Sequence, residues 1–155
     1  MNPEYKITVN QCSLGEETGN AKIRLSNDDN IGWNTMVFLS KKEKGSKGEL
    51  EVPVRRLDDY IKEKSLNKVK LIKIDVEGYE FPVLKGLSSY FGNTERLPVI
   101  ICEINPFACS LMGYTLIQLF EYMKKYSYNA YSLLNASIKV DIRRLRQTTD
   151  IVFAP

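Results

Sequence analysis

Hydrophobic and polar positions alternate through the first part of the chain, whereas the second part carries near-continuous apolar blocks separated by helical periodicity. From Tyr5 to Leu14 the apolar positions Ile7, Val9 and Cys12 follow an extended pattern, and Ala21 to Leu25 alternates around Ile23 and Leu25. Gly15-Glu16-Glu17-Thr18-Gly19 lies between them as a turn, so the pattern predicts an N-terminal β-hairpin. Gly15 and Gly19 also have the spacing of a nucleotide-binding loop, but a strand follows where that loop needs a helix. Residues 27 to 48 are polar and glycine-bearing around the apolar island Ile31-Gly32-Trp33. Trp33 either packs down on the domain or covers a ligand at the edge of a cleft.

From Glu49 the pattern changes. Glu49 to Arg56 reads as a strand, and Leu57-Asp58-Asp59-Tyr60-Ile61 opens a short helix whose electropositive start suits the two aspartates. Val69 to Val76 is a strand. Phe81, Val83, Leu84, Leu87 and Phe91 mark one face of a helix, with Pro82 tolerated in its first turn. Pro98 to Asn105 is a further apolar strand, and Thr115 caps a helix with Leu116, Leu119, Phe120 and Met123 on one face. Tyr128 to Leu134 and Ile151 to Ala154 close the chain as strands. Strands and helices in alternation, with strands apolar throughout, predict an α/β domain built on a mostly parallel sheet covered on both faces.

At 155 residues the chain is expected to be a single domain, or part of one, spanning residues 1–155. A net charge of +3 is too small to argue for nucleic acid, and Lys41, Lys42, Lys44 and Lys47 are interrupted by glycine and serine as in a solvated loop. No apolar run approaches the ~20 residues of a membrane span. Cys12, Cys102 and Cys109 lack metal or redox spacing, and with no leader pattern they fit reduced thiols in the cytoplasm. There is no histidine. Proton transfer therefore falls to Asp, Glu, Lys or Tyr.

The segment Leu71-Ile72-Lys73-Ile74-Asp75-Val76-Glu77-Gly78-Tyr79-Glu80 places a lysine and three carboxylates on an apolar strand and the helix start after it. Side chains alternate, so Lys73 and Asp75 share one face; on the next strand Ile101, Glu103 and Asn105 share one too. Ligands of open α/β sheets bind at the carboxyl ends of strands, where Asp75, Glu77, Glu103 and Asn105 all fall. Asp75 and Glu103 end apolar strands with no obvious adjacent partner, so a functional role is expected of both. Lys73 either keeps a neighbouring carboxylate ionised or serves as a desolvated base. Glu80 suits the electropositive start of a helix. The oxygens of Asp75, Glu77 and Glu103 would also suit Mg²⁺, although no metal ligand is assigned. Arg143-Arg144-Leu145-Arg146 reads as a solvated loop or as a contact for an anionic substrate.

Lys73-Ile74-Asp75-Val76-Glu77-Gly78 stands between Val54-Arg55-Arg56-Leu57-Asp58-Asp59 and Val83-Leu84-Lys85-Gly86. With Ile101-Cys102-Glu103, the early Val9-Asn10-Gln11-Cys12-Ser13-Leu14-Gly15 stretch and the ending Asp150-Ile151-Val152-Phe153-Ala154-Pro155, it resembles the C-terminal part of FkbM-type methyltransferases. The resemblance implies a Rossmann-like, class I methyltransferase that uses S-adenosylmethionine to methylate a hydroxyl of a sugar or other small-molecule acceptor. It implies that Asp75 and Glu77 line the pocket where donor and acceptor meet, with Asp75 the candidate base and Glu103 and Asn105 orienting the substrate, and that Cys12 and Ser13 approach the donor. The family's glycine-rich strand-turn-helix and its acidic second strand do not precede Tyr5. A partial domain is therefore expected, its first two strands missing and its donor binding impaired. Self-association or pairing with an upstream segment would fill the gap, and a non-catalytic interaction module of the same fold is the alternative.

Overall fold

The computed structural model describes residues 6–26, 36 and 46–155. It is an α/β structure with two mixed sheets. The first has three strands, β1 (Ser13–Leu14), β2 (Gly19–Ser26) and β3 (Ser46–Arg55), in the order β1-β3-β2. After α1 (Leu57–Glu63) comes β4 (Leu71–Ile74), then α2 (Glu80–Lys85), α3 (Ser88–Asn93), β5 (Val99–Ile104), α4 (Pro106–Leu111), α5 (Leu116–Lys125), β6 (Asn129–Ser132) and β7 (Thr149–Ala154). The second sheet has four strands in the order β4-β5-β7-β6.

The hairpin expected from residues 5 to 25 does not form. β1 runs parallel to β3, pairing Ser13 with Val54, and β2 runs antiparallel along its other edge, pairing Gly19 with Val54. β3 is long enough to partner both segments, and the turn between them leads from one of its edges to the other.

The mostly parallel sheet is likewise corrected. β4 and β5 are parallel, but β7 is antiparallel to both β5 and β6. Parallel neighbours need a crossover, usually an α-helix, whereas the β6–β7 connection contains only the 3-10 turn Ile142–Arg144. The chain therefore comes back alongside β6 in the opposite direction.

One face of the second sheet forms the core. Ile74, Ile100, Cys102, Ile104, Ile151 and Phe153 are buried against Val83, Leu84 and Leu87 of the α2–α3 segment and Leu119 and Met123 of α5. On the opposite face Leu71 is 55% exposed and Val99 36%, so the expected cover on both faces is absent among the described residues. Tyr128 is fully buried, and its hydroxyl donates to the Pro98 carbonyl at 2.8 Å. α5 begins with a capping box: Thr115 Oγ1 accepts from the Gln118 amide, and the Gln118 side chain accepts from the Thr115 amide.

The helix expected through Phe91 divides in two at Gly86-Leu87. A Cβ on Gly86 would lie 2.2 Å from the Gly15 carbonyl oxygen, so the bare glycine lets the turn after β1 approach the α2–α3 junction. Lys85 reinforces the approach by pairing with Glu16 at 2.8 Å. Asp58 was expected to favour the start of α1. It stands in the first turn of α1, and its carboxylate also accepts from the Ser89 and Tyr90 amides at the start of α3 and pairs with Arg56.

Candidate functional site

Parallel registration of β4 and β5 builds the site. Lys73 is opposite Ile101 and Ile74 opposite Cys102, so the next positions on each strand bring Asp75 beside Glu103. Beyond Asp75 the chain reverses through left-handed backbone at Glu77 (φ 50°) and Gly78 (φ 99°). That conformation costs a non-glycine residue about 1–2 kcal/mol. The reversal returns Glu77 to the strand end, and carboxylate oxygens of Asp75, Glu77 and Glu103 lie within 4.8 Å of one another.

Electrostatics follow from that crowding. Burial and then the Asp75 charge raise the pKa of Glu77; burial, Asp75, Glu77 and Asp150 raise that of Glu103, with Lys73 opposing. Lys73 pairs with Asp75, and this hydrogen bond lifts its pKa above the ordinary lysine value. The lysine is exposed and charged, so the desolvated-base reading has no burial to support it. Its place is beside Asp75, balancing one of the carboxylates. A hard-oxygen set of this kind could also take a divalent cation.

Glu80 opens the first turn of α2, as expected, and has a further part. It is 1% exposed, and its Oε1 accepts from the amides of Val76 at 3.2 Å and Gly78 at 3.0 Å, clamping the reversal that presents Glu77. Its Oε2 is buried with no hydrogen-bond partner. Burial raises its pKa more than those amides lower it.

Asn105 does not join the cluster. Its Oδ1 accepts from the Phe107 and Ala108 amides, capping α4, with Pro106 in the first turn. An asparagine followed by proline is a helix-start signal, and it outweighs the strand alternation that aimed Asn105 at the rim. Ser13 and Cys12 belong to the other sheet and its approach; Ser13 Oγ donates to Met36 Sδ at 2.9 Å. Trp33 lies outside the described residues, as do Lys41, Lys42 and Lys44. Arg143 pairs with Asp141 at the 3-10 turn. Asp150, which sequence reasoning left out of the site, is paired in register with Glu103 on β7. Alternation along the last strand could have shown its face, but only the antiparallel return shows its neighbour.

The family model for the methyltransferase FkbM domain matches residues 2–130. The chain belongs to the FkbM methyltransferase family. It is similar to Methyltransferase 1 of Beauveria bassiana (strain ARSEF 2860), with 28% identity over 114 residues, covering 63% of this chain and 45% of that protein. The matched segment thus spans less than half of the relative's length. No solved structure matches the chain. Within this FkbM domain, the carboxylates at the ends of β4 and β5 occupy the Asp-Val-Glu-Gly segment and its neighbouring strand.

Proposed function

We propose that this FkbM domain carries the acceptor side of an O-methyltransferase site, where the Asp75–Glu77–Glu103 cluster removes the proton of a hydroxyl on a sugar or other small molecule. The observation that carries the reading is the convergence of the three carboxylates at two strand ends, with the proton affinity of Glu77 and Glu103 raised. A carboxylate with raised pKa is the better proton acceptor, and Glu103 is less directly neutralised than Asp75, which Lys73 holds. Glu103 is therefore our candidate base in place of Asp75, the base expected from the sequence, with Asp75 and Glu77 orienting the acceptor. Methyl transfer is an in-line displacement, so positioning and proton removal are what the protein must supply.

S-adenosylmethionine is the donor that the family implies, and when bound it supplies an electrophilic methyl group. The described residues fit it only in part. The acidic rim suits its positive charge, but the described segments contain no glycine-rich strand-turn-helix for the remainder. β4 has a described partner on one edge only. We assign that edge to pairing with a further strand, from another segment of the protein or from a second copy. Free Cys12, Cys102 and Cys109 suit a cytoplasmic setting.

The test is transfer of labelled methyl from the donor to a panel of sugar and small-molecule alcohols, with donor binding followed separately by calorimetry. Glu103→Gln is expected to lower kcat by roughly 10²–10⁴-fold, the usual contribution of a general base. Undiminished turnover in Glu103→Gln, Asp75→Asn and Glu77→Gln would overturn the reading. No helix among the described residues is long and apolar enough to cross a membrane.

A further inference from the structure

A second cleft opens at the opposite ends of the same strands. It has a volume of about 910 Å³ and lies between the segment joining α1 to β4 and the segment joining α3 to β5. β4 rises about 13 Å over its length, so the cleft is separated from the carboxylate rim by at least that strand. Its lining is asymmetric in charge: Lys62, Lys68, Lys70 and Arg96 contribute four cations against the single carboxylate of Glu95. Among the described residues none of these four cations forms an ion pair or donates a side-chain hydrogen bond, whereas Lys22, Arg55, Arg56, Lys64, Lys73, Lys85, Arg143 and Arg144 all have carboxylate partners. Tyr90 also lines the cleft, and its hydroxyl oxygen is buried with no hydrogen-bond partner. An unpartnered buried hydroxyl is costly. Leu66, Val69, Leu97 and Val99 add apolar surface beside the charges.

We propose that this cleft binds a small phosphorylated molecule, its phosphate held by the lysines and Arg96 and its apolar body set against the leucine and valine side chains. Phosphate matches the planar fork of an arginine among point-charged lysines. The confined volume and the overall charge of +3 argue against an extended nucleic-acid track. Ligand binding here is independent of the methyl-transfer reading, since no residue of the carboxylate cluster lines the cleft.

The test uses the whole chain, labelled with ¹⁵N and titrated with inorganic pyrophosphate at constant ionic strength. Saturable shifts confined to residues 62–70 and 90–99 are expected. Lys68→Gln combined with Arg96→Gln should weaken binding by about tenfold or more, the usual scale for losing hydrogen bonds to a charged group. Should that pair fail to fold, Lys70→Gln and Lys62→Gln serve singly, each with a spectrum checked against wild type outside the cleft. Shifts that do not saturate, that fall elsewhere, or that persist unchanged in the folded variants overturn the proposal. Sedimentation with phosphatidic acid vesicles, competed by pyrophosphate, would assign the phosphate to a lipid headgroup; absence of sedimentation would assign it to a soluble molecule.

Discussion

At Glu80 a carboxylate is held inside the protein with one oxygen satisfied by two amides and the other unpartnered. Removing the side chain as Glu80→Ala strands both amides, at roughly 1–3 kcal/mol for each. Chemical denaturation should show that loss. Glu80→Gln keeps an acceptor for the amides but abolishes the titration. Because the folded pKa is raised, the stability linked to this group is fully present below the ordinary glutamate value and is lost as pH rises through the folded value. Wild type should therefore lose more stability across that window than Glu80→Gln, and denaturation curves at several pH values read the difference directly. The same sign applies to Glu77 and Glu103, whose pKa values are raised by burial first and by the neighbouring carboxylates after it. Glu103→Gln is accordingly expected to melt no lower than wild type at neutral pH even as turnover falls. Among these residues, Asp75 and Glu103 were legible as neighbours because alternation along two parallel strands fixes their face. Asn105 was misread because a helix cap and a strand end look alike at a boundary. The clamp by Glu80 was hidden because it depends on a local left-handed reversal.

At the level of elements, two close contacts connect parts of the chain distant in sequence. Gly86 meets the Gly15 carbonyl where α2 gives way to α3, so Gly86→Ala must displace backbone rather than a flexible side chain. Overpacking of this kind costs about 1–3 kcal/mol, and the melting temperature should fall accordingly. Asp58 joins α1 to the start of α3 through the Ser89 and Tyr90 amides. Asp58→Ala should cost on the order of 1–2 kcal/mol as a lost cap, measured by denaturation, with Asp58→Asn recovering part of it. The hydrophobic pattern revealed β4, β5 and α5 because each has one strongly apolar face and local end signals. It did not reveal the pairing of β1 and β2 across β3, since both segments alternate and nothing local says which edge each will take. The direction of β7 was hidden for a related reason: it depends on the absence of a crossover helix after β6.

At the scale of the molecule, the second sheet has a β4 edge without a partner among the described residues and a half-exposed face beside the ends that gather Asp75, Glu77 and Glu103. The chain's membership of the FkbM family supports our proposal that this gathering of charge handles an acceptor hydroxyl. If the rim works as a base, the rate should climb with pH through a limb displaced above the ordinary glutamate value, because Glu103 must lose its proton before it can accept one. The most direct measurement is labelled methyl transfer to a responsive alcohol acceptor by wild type and Glu103→Gln, with donor affinity and melting temperature recorded for both. The account predicts a fall in turnover of roughly 10²–10⁴-fold with donor affinity and fold preserved. Equal turnover in the two proteins would contradict it.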